Sequence, residues 1–480
     1  MKHVLKNFGY QSLFQLTKII MPIITVPIVS KALGPGGLGI FNYTNSITQY
    51  FVLVASLGIS MYGNREIALV YNRKENISKT FWEICLLKAV LTCITLLVFL
   101  LFTTFLGNKI YFYIQSLTII AVMFDISWFF MGIEDFRKTS MINLGIQFVT
   151  FILIIFLIKD SSDTILYVLL QSVGTLLSQL LTWLFIHKHI NFKKVAFLDS
   201  FRHIRSSFEF FIPQVAILLY TNLNKTLLGV FIGSTAVGYY TNSLTINTVF
   251  ITVITTLDMV LLPHMSGLYA KGNINKMVDI IDKMVDIIDK TIHLQLYFSV
   301  PAMFGMLTVY DKLVPWFFGK EFLFINKVIP LFSILIVVMP LGMSISRQYL
   351  IPIGKVKIYN KSVLIGAVIN ILSNLILLPW IGFFGVVFSN LLAEIFVTVV
   401  RTKSFLNQTN FSFKKKNLLV IFCSSIIMWF VTRIITNGMS PTFLTNLIQV
   451  SIAVPIYFLL TSLFGYNPIL SGLGKWKKEN

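Results

Sequence analysis

The sequence contains few charged residues, and acidic residues are the scarcest of them. Only 12% of the 480 residues are Asp, Glu, Lys or Arg, about half the share found in ordinary soluble proteins. The mean hydropathy is +0.80, and 56% of the residues are hydrophobic. So little charge cannot cover the surface of a water-soluble domain, and long apolar runs recur along the chain. The composition therefore predicts an all-α, polytopic membrane protein.

Cysteine is also scarce, and the short motifs of common enzymes and metal sites are missing. The three cysteines lie in apolar runs without a CxxC pair, so neither a disulfide framework nor a zinc site is expected. The chain lacks GxxxxGK[ST], HExxH and GxSxG patterns, which argues against an ATP-driven pump and against an enzyme. No metal and no cofactor are predicted. His187, His189 and His203 are expected to be exposed in a basic loop.

Apolar runs, separated by Gly, Pro and charged residues, predict about fourteen transmembrane helices. Each is long enough to cross a hydrocarbon layer of about 30 Å. The predicted spans are 10–31, 38–62, 80–106, 111–133, 140–158, 163–187, 208–232, 238–266, 291–311, 323–346, 358–379, 381–402, 417–437 and 443–465.

The 39 Lys and Arg residues are distributed unevenly between the predicted loops. If both termini lie on one side, the opposite loops contain only Lys31, Lys109, Lys159, Lys312, Lys320, Lys327 and Arg433. The positive-inside rule therefore predicts cytoplasmic N- and C-termini. Topology and contact with anionic membrane lipid explain the formal charge of +20, and no nucleic acid is expected as a partner.

A repeat relates the two halves of the chain at an offset of 199 residues. The turn "LGPGGLGIFNYTNSITQYF", residues 33–51, aligns without gaps with "IGSTAVGYYTNSLTINTVF", residues 232–250. The aligned pairs include Gly34 with Gly233 and Gly39 with Gly238. Because six predicted helices separate the copies, both halves enter the membrane in the same direction, as a parallel repeat.

This repeat predicts two parallel six-helix lobes with two additional C-terminal helices. The predicted domains are an N-lobe over 1–190, a basic cytoplasmic interlobe loop over 191–207, a C-lobe over 208–402, and a C-terminal part over 403–480. A shorter duplication, "KMVDIIDKMVDIIDK", repeats seven residues before the ninth predicted helix. Seven residues are nearly two helical turns, so the duplication predicts an amphipathic helix along the cytoplasmic surface.

Ionisable residues within the predicted spans are functional candidates, because a charge in the bilayer interior costs several kcal/mol. Lys18, Asp125, Asp258 and Glu394 lie about eight residues from the cytoplasmic ends of their helices, a common depth of about 12 Å. Lys225 lies deeper, in "YTNLNKTLLG". These residues are suitably placed to line a cavity between the lobes.

Each candidate also has a structural interpretation. Asp125 is expected either to pair with Lys18 as a static contact or to couple transport to an ion or proton. Asp258 could cap backbone amides freed by a kink at Pro263. Lys88 is expected to extend its long stem to the membrane interface. The segment Trp128–Phe130 is expected to belong to an interfacial aromatic belt.

Five segments carry a resemblance to a known family. They are "LGPGGLGIFNYTNSI", "YGNREIA", "DISWFFMGIEDFRK", "NKTLLGVFIGSTAVGYYTNSLTI" and "VLLPHMSGLYAKGN". In order and spacing they resemble the Wzx-type polysaccharide repeat-unit flippases, which belong to the same superfamily as MATE drug exporters and lipid II flippases. The resemblance implies a MATE-like fold. It also implies export of undecaprenyl-diphosphate-linked oligosaccharides to the outer leaflet of the bacterial plasma membrane, for capsule or exopolysaccharide assembly.

From the resemblance itself, Asp125, Trp128, Glu134 and Lys225 are expected only to line or gate the cavity. The further roles below follow from the ionisable residues of the spans and from the charge of the implied substrate. Lys18, Lys225 and Arg65 are expected to attract the diphosphate. Asp125, Asp258 and Glu394 are expected to bind a coupling ion or to balance the charge of the cavity. Trp128, Glu134 and Asn224 are expected to line or gate the cavity. The family usually has an acid at the position of Asn224, so this departure leaves Lys225 less compensated and more available to an anion.

Three alternatives to this function remain open. They are a MATE-like exporter of cationic drugs, a lipid II flippase, and a scaffold that recruits membrane glycosyltransferases. An excess of buried acids would favour drug export, which the presence of Lys18 and Lys225 opposes. For the flippase, a polysaccharide polymerase and glycosyltransferases are the expected protein partners. The sequence does not choose between H+ and Na+ as the coupling ion.

Overall fold

The first compact unit of the chain comprises residues Met1–Gly238 and the second comprises Tyr239–Asn480. A computed structural model describes the backbone of residues 2–72, 77–270 and 277–468, without the side chains of residues 2–20, 22, 72, 136 and 277. Within these ranges the regular structure is helical and contains no strands. The helices vary from short turns to segments of 55 residues.

The first unit contains nine α-helices and the start of a tenth, within its described residues. They are α1 (Lys2–Ser56), α2 (Ile59–Asn72), α3 (Ile77–Thr103), α4 (Lys109–Phe124), α5 (Ser127–Gly132), α6 (Phe136–Leu157), α7 (Thr164–Thr182), α8 (Phe197–Phe201) and α9 (His203–Phe231). Helix α10 (Ser234–Ala270) begins in this unit and continues into the second. Helices α4 and α5 form one apolar stretch that is interrupted at Asp125.

The second unit contains the rest of α10 and seven further α-helices in its described part. They are α11 (Met277–Phe317), α12 (Ile329–Phe332), α13 (Leu335–Ile345), α14 (Val356–Ile381), α15 (Phe383–Leu406), α16 (Lys415–Thr436) and α17 (Phe443–Leu463). Helix α13 continues directly into a short π-helix, Ser346–Leu350.

The prediction of an all-α polytopic membrane protein with about fourteen spans is confirmed. Twelve helical stretches of the described chain are long and apolar enough to cross a membrane. One of them, Ile23–Tyr71, contains parts of two predicted spans, which the non-helical conformation of Gly34 separates. The predicted span 208–232 lies in α9, which is not among the twelve because polar residues lower its hydropathy. All fourteen predicted spans therefore correspond to helices.

The helices bury polar side chains and expose apolar ones, as expected for a protein surrounded by lipid. On α3, Thr92 and Thr95 are buried, whereas Leu101 is 67% exposed. Gln115 on α4 donates to Thr44 Oγ1 at 2.9 Å and accepts from Thr48 Oγ1 at 2.8 Å. Hydrogen bonds between buried side chains thus join α4 to α1 where apolar burial alone gives little driving force.

The matched glycines of the repeat have the same structural role. Gly34 has φ 62° and interrupts α1, and Gly233 has φ 122° and separates α9 from α10. Both conformations are ones that side chains rarely adopt, so glycine is required at each break. The repeat predicted from the sequence therefore coincides with a repeated helix break.

The unit boundary at Gly238 differs from the predicted interlobe loop at 191–207. Helix α9 packs against α1, α2 and α8, and this packing places it in the first unit. The assignment of residues 1–190, 208–402 and 403–480 to lobes and C-terminal helices stays a prediction.

The seven-residue duplication forms the beginning of α11. Met284 and Ile288, which are four residues apart, are fully buried in the same apolar cluster as Phe405 and Phe411. The predicted helix with an apolar face is therefore present, and its location along the cytoplasmic surface stays a prediction. The helix continues without a break into the ninth predicted span, and its apolar face packs against helices of the second unit.

Candidate functional site

Asp125 lies at the break between α4 and α5, and its carboxylate has two structural roles. Oδ1 accepts hydrogen bonds from the Ser127 backbone N–H at 3.0 Å and from the Ser127 hydroxyl at 2.5 Å. Oδ2 accepts from Lys88 Nζ at 2.8 Å. The acid is therefore placed ahead of the aromatic run because it satisfies the start of α5 and balances a buried cation.

The partner of Asp125 is Lys88, which the sequence analysis placed at the membrane interface. The side chain of Lys88 is only 1% exposed, and its ammonium group also donates to the Asp125 carbonyl at 2.6 Å. The expectation that Lys88 reaches the interface is thus wrong, because a bonded carboxylate compensates its burial. Lys18 lies in α1, but its side chain falls outside the described residues.

Trp128, the first aromatic residue after Asp125, belongs to the core of the first unit. It is fully buried, its Nε1–H donates to the Asp125 carbonyl at 3.0 Å, and its ring stacks on Phe81 with centroids 5.6 Å apart. Phe129 and Phe130 are also fully buried. The expectation of an interfacial belt is wrong for these three residues, since such a belt requires exposed rings. A gating role for Trp128 stays a prediction.

Glu134, two residues after the end of α5, has a left-handed backbone conformation that is unusual for a residue other than glycine. Its φ is 58°, its N–H donates to the Met131 carbonyl, and the next N–H, of Asp135, donates to the Phe130 carbonyl at 2.9 Å. This is the Schellman pattern, in which the left-handed position is usually glycine. A non-glycine residue there costs roughly 1–2 kcal/mol. Such strain is typical of positions retained for function.

Lys225 lies on α9, half-buried in the first unit. Its Nζ donates to Asn222 Oδ1 at 3.1 Å, and no described carboxylate of this unit lies within 4 Å. Asn224 is buried on the same helix. Thr226, one residue after Lys225, contacts the Tyr50 hydroxyl of α1 at 3.2 Å. Polar side chains thus hold α9 against α1, and the only partner of the Lys225 ammonium among the described residues of this unit is neutral.

Arg65 and Glu394 are the two remaining charged candidates with described side chains. Arg65 is exposed on α2, and no hydrogen bond or ion pair within the described first unit joins it to Lys225. Glu394 is half-buried on α15, two turns before Arg401. The Arg401 guanidinium donates to Ser362 Oγ at 2.9 Å. The predicted roles of both candidates stay predictions.

Asp258 is fully buried in the second unit and is bound by side chains from three neighbouring segments. Oδ1 accepts from Gln295 Nε2 at 2.8 Å, Ser344 Oγ at 2.8 Å and Gln348 Nε2 at 2.6 Å. Oδ2 is buried without a hydrogen bond in the described part of the chain. Gln348 belongs to the π-helix, an element that is frequent at functional sites. Among the described residues, the hydrogen bonds of Asp258 come from side chains, and it does not cap backbone amides near Pro263.

A second ionisable cluster, around Glu83 on α3, was missed by the sequence analysis. Glu83 is fully buried, and its Oε2 accepts from Arg202 at 2.5 Å and contacts His203 Nε2 at 3.2 Å. The other ring nitrogen of His203 contacts the Tyr62 hydroxyl at 2.6 Å. Burial lowers the pKa of His203 below its ordinary value, although the hydrogen bond to Glu83 opposes this shift.

The prediction that His203 is exposed is therefore wrong. The sequence contained a signal for this cluster, because Glu83 lies within the apolar run "TFWEICLLK" and a buried acid needs a cationic partner. His189 follows a different pattern, since it is exposed to a larger extent and contacts Lys138 Nζ at 3.1 Å.

Comparison with known proteins identifies the family of this chain. The family described as "Polysaccharide biosynthesis protein" matches residues 4–268. A "Putative O-antigen transporter" of Escherichia coli (strain K12) is 24% identical over 268 residues, which are 54% of this chain and 64%, just under two thirds, of that protein. A "Putative O-antigen transporter" of Shigella dysenteriae is 21% identical over 83% of this chain and 99% of that protein.

Among solved structures, the lipid II flippase MurJ in an inward closed conformation superposes with a TM-score of 0.71. The superposition covers 94% of this chain and 98% of MurJ at 17% sequence identity, a level at which the likeness concerns the fold alone. The family match covers more than half of the chain and includes the Asp125 and Lys225 environments. This chain is therefore a member of the polysaccharide biosynthesis protein family, with the helical fold of a MurJ-like membrane protein.

Proposed function

We propose that this protein is a flippase that moves undecaprenyl-diphosphate-linked oligosaccharide repeat units from the cytoplasmic to the outer leaflet of the bacterial plasma membrane. The units serve capsule or exopolysaccharide assembly, and the protein performs no covalent chemistry on them. Family membership and the names of the two relatives support this substrate class. Alternating access, driven by an ion gradient, is the proposed mechanism.

The physical difficulty of this transport lies in the head group. A polyprenyl tail is stable in hydrocarbon, whereas a diphosphate and several sugars are costly to desolvate. Lys225 is the observation that carries the proposal, because its half-buried ammonium has a neutral partner, Asn222, and no described carboxylate of its unit nearby. An ammonium in this situation attracts a diphosphate. Lys18 and Arg65 are proposed to assist at the cytoplasmic entrance.

The buried acids have different environments, which favours different roles for them. Asp125 has both carboxylate oxygens bonded, to Lys88 and to Ser127, so its charge is already compensated. Asp258 has one bonded and one unbonded oxygen, both buried. We therefore assign the coupling ion or proton to Asp258, and a static structural role to the pair of Asp125 and Lys88.

The decisive experiment measures lipid-linked oligosaccharide in the two leaflets of cells that lack the gene. Deletion should cause the substrate to accumulate on the cytoplasmic leaflet, and the wild-type gene should restore export. Lys225→Ala should remain inserted in the membrane but fail to restore export. Lys109→Ala, which removes an exposed lysine at the start of α4, is the matched control and should export normally.

Normal export by Lys225→Ala would remove this residue from the mechanism. Resistance to cationic drugs on overexpression, without lipid-linked sugar accumulation on deletion, would instead support a drug exporter. Lethal loss of peptidoglycan precursor export would support a lipid II flippase. Retained export after removal of all the buried charges would support a scaffold for glycosyltransferases. Reporter fusions to each terminus would test the proposed cytoplasmic orientation.

A further inference from the structure

A polar cleft lies inside the first unit, between α1, α6 and α7. Its volume is about 570 Å³, within the range of roughly 300–1,000 Å³ that is usual for small-ligand sites. The described lining contains no Asp, Glu, Lys, Arg or His. Because α6 and α7 belong to two of the twelve apolar stretches, a polar cleft between them is costly unless water or a polar ligand fills it.

Six of the fifteen lining residues form two regular stripes of amide and hydroxyl side chains. The stripes consist of Asn143, Gln147 and Thr150 on α6, and Gln171, Thr175 and Ser178 on α7. In each stripe the residues follow one another at intervals of four and three positions, which places them on one face of the helix. The two helices therefore present matched polar faces to the same space.

Several of these groups have unused hydrogen-bonding capacity. Asn143 Oδ1 accepts from the Ser178 hydroxyl across the cleft. Gln171 Nε2 contacts the Tyr167 hydroxyl at 3.4 Å, which is a long and weak interaction. Gln147 makes no side-chain hydrogen bond within the described chain. An amide without a bonded partner in an apolar stretch favours the binding of a polar group in the cleft.

The chemistry of the lining selects the class of ligand. The polar side chains of the described lining are amides and hydroxyls, which favour a neutral ligand rich in hydroxyl groups. Amides and hydroxyls both donate and accept hydrogen bonds, as sugar hydroxyls do. Phe151 and Tyr167 add aromatic surface against which the apolar face of a sugar ring can pack.

We propose that this cleft binds the neutral sugars of the lipid-linked oligosaccharide, at a site separate from the diphosphate site at Lys225. The proposal rests on the proposed function and extends it, because it assigns recognition of the oligosaccharide to Gln147 and Gln171. The cleft then discriminates between repeat units, whereas Lys225 recognises the diphosphate common to all of them. Substitutions in the cleft should change which substrates are exported.

The test compares two substrates that differ only in sugar length. Cells lacking the gene are complemented with Gln147→Leu/Gln171→Leu, and export is measured for undecaprenyl diphosphate carrying the complete repeat unit or one sugar. The one-sugar lipid comes from a strain that lacks the second glycosyltransferase. Loss of two hydrogen bonds should reduce export of the complete unit about tenfold or more, and export of the one-sugar lipid less than about twofold.

Phe148→Ala/Leu177→Ala is the control, because these exposed side chains lie on the same helices and do not line the cleft. It should export both substrates normally. Equal loss of both substrates, or of neither, in the double glutamine variant would overturn the cleft proposal while the proposed function stands. Absence of any lipid-linked sugar accumulation in the deletion strain would overturn the proposed function itself.

A binding measurement with the purified full chain keeps the proposal falsifiable if the one-sugar lipid is a poor substrate. The probes are the oligosaccharide released from the strain's own repeat unit and inorganic diphosphate. The oligosaccharide should raise the apparent Tm of the wild type and not that of the double glutamine variant, whereas diphosphate should affect both equally. A cleft filled by water alone would give no difference with the oligosaccharide, and this result would overturn the proposal.

Discussion

Replacing Lys88 with methionine removes the cation that neutralises Asp125 while it preserves most of the buried volume. The pair is 2.8 Å apart, with Lys88 1% and Asp125 18% exposed. Breaking a buried ion pair by removing one partner costs about 3–5 kcal/mol. Because Asp125 is partly exposed and water can solvate its charge, the expected loss of stability for Lys88→Met is at the lower end of this range, about 3 kcal/mol. Loss of the hydrogen bond from Lys88 to the Asp125 carbonyl adds little to this cost, because Trp128 Nε1–H still donates to that carbonyl at 3.0 Å.

The opposite substitution, Asp125→Asn, should be more destabilising than Lys88→Met. It leaves the ammonium of Lys88 almost fully buried, with only neutral acceptors. Its expected cost is therefore near the upper end, about 5 kcal/mol. The double variant should lose at least about 1 kcal/mol less than the sum of the single losses, because the two groups are in direct contact.

The assay is thermal unfolding of the purified full chain in detergent, followed by tryptophan fluorescence. At roughly 2–4 °C per kcal/mol for a unit of this size, Lys88→Met should lower the apparent Tm by roughly 6–12 °C. Lys109→Met, at an exposed position of α4, should unfold like the wild type. Single variants with unchanged Tm values, or strictly additive losses in the double variant, would refute a stabilising ion pair.

Three further substitutions test other parts of the structure. Glu134→Gly should raise the apparent Tm by relieving a left-handed residue with φ 58°, and a loss of export in the same variant would assign a function to the carboxylate. The wild type should lose stability as the pH falls below about 6.5, because His203 is protonated in the unfolded state more readily than in the folded state, where its pKa is lowered. The stability of His203→Gln should depend less on pH, and equal pH profiles would contradict this. Gly39→Ala should lower the apparent Tm and export, because its Cβ would lie 1.9 Å from the Ser234 carbonyl oxygen. The control Gly36→Ala should be tolerated, since the nearest atom to its Cβ would be 3.9 Å away. Equal Tm values and export for the two variants would contradict the close contact at Gly39.

The helices could be predicted because their signal is local. Each span is an apolar run bounded by glycine, proline or charge, and these features lie within the span itself. Even the interrupted helix α1 carried its signal, since Gly34 is followed by Pro35 and two more glycines. The bilayer strengthens this relation, because backbone groups in hydrocarbon must be bonded within a helix.

The partners of the buried charges could not be predicted in the same way. Lys88 and Asp125 are 37 residues apart, and Glu83 and His203 are 120 residues apart. Pairing over such separations depends on how neighbouring helices are rotated and shifted, which apolar periodicity does not specify in lipid. Asp125 was therefore recognisable from the sequence as a buried acid, whereas its expected static partner was Lys18 and Lys88 was expected at the interface.

Asp258 presents a different difficulty. Two of its donors, Ser344 and Gln348, are four residues apart across the junction of α13 and the π-helix. A π-helix widens the turn and changes the direction of the following side chains, and the segment "SISRQYL" carries no known local signal for it. The position of Asp258 within a predicted span therefore marked it as a buried acid, whereas the side chains that bind it could not be predicted from the sequence.

The repeat shows that a local sequence match can predict a contact between residues that are far apart in the chain. A Cβ at Gly39 would lie 1.9 Å from the Ser234 carbonyl oxygen, and a Cβ at Gly238 would lie 2.1 Å from the Pro35 carbonyl oxygen. Gly39 aligns with Gly238, and Pro35 aligns with Ser234, at the same offset of 199 residues. The contact is therefore reciprocal, as it is between subunits related by a two-fold axis. Chance similarity between two glycine-rich turns would not produce such a contact, so the sequence repeat reflects a structural symmetry of the helices that carry it.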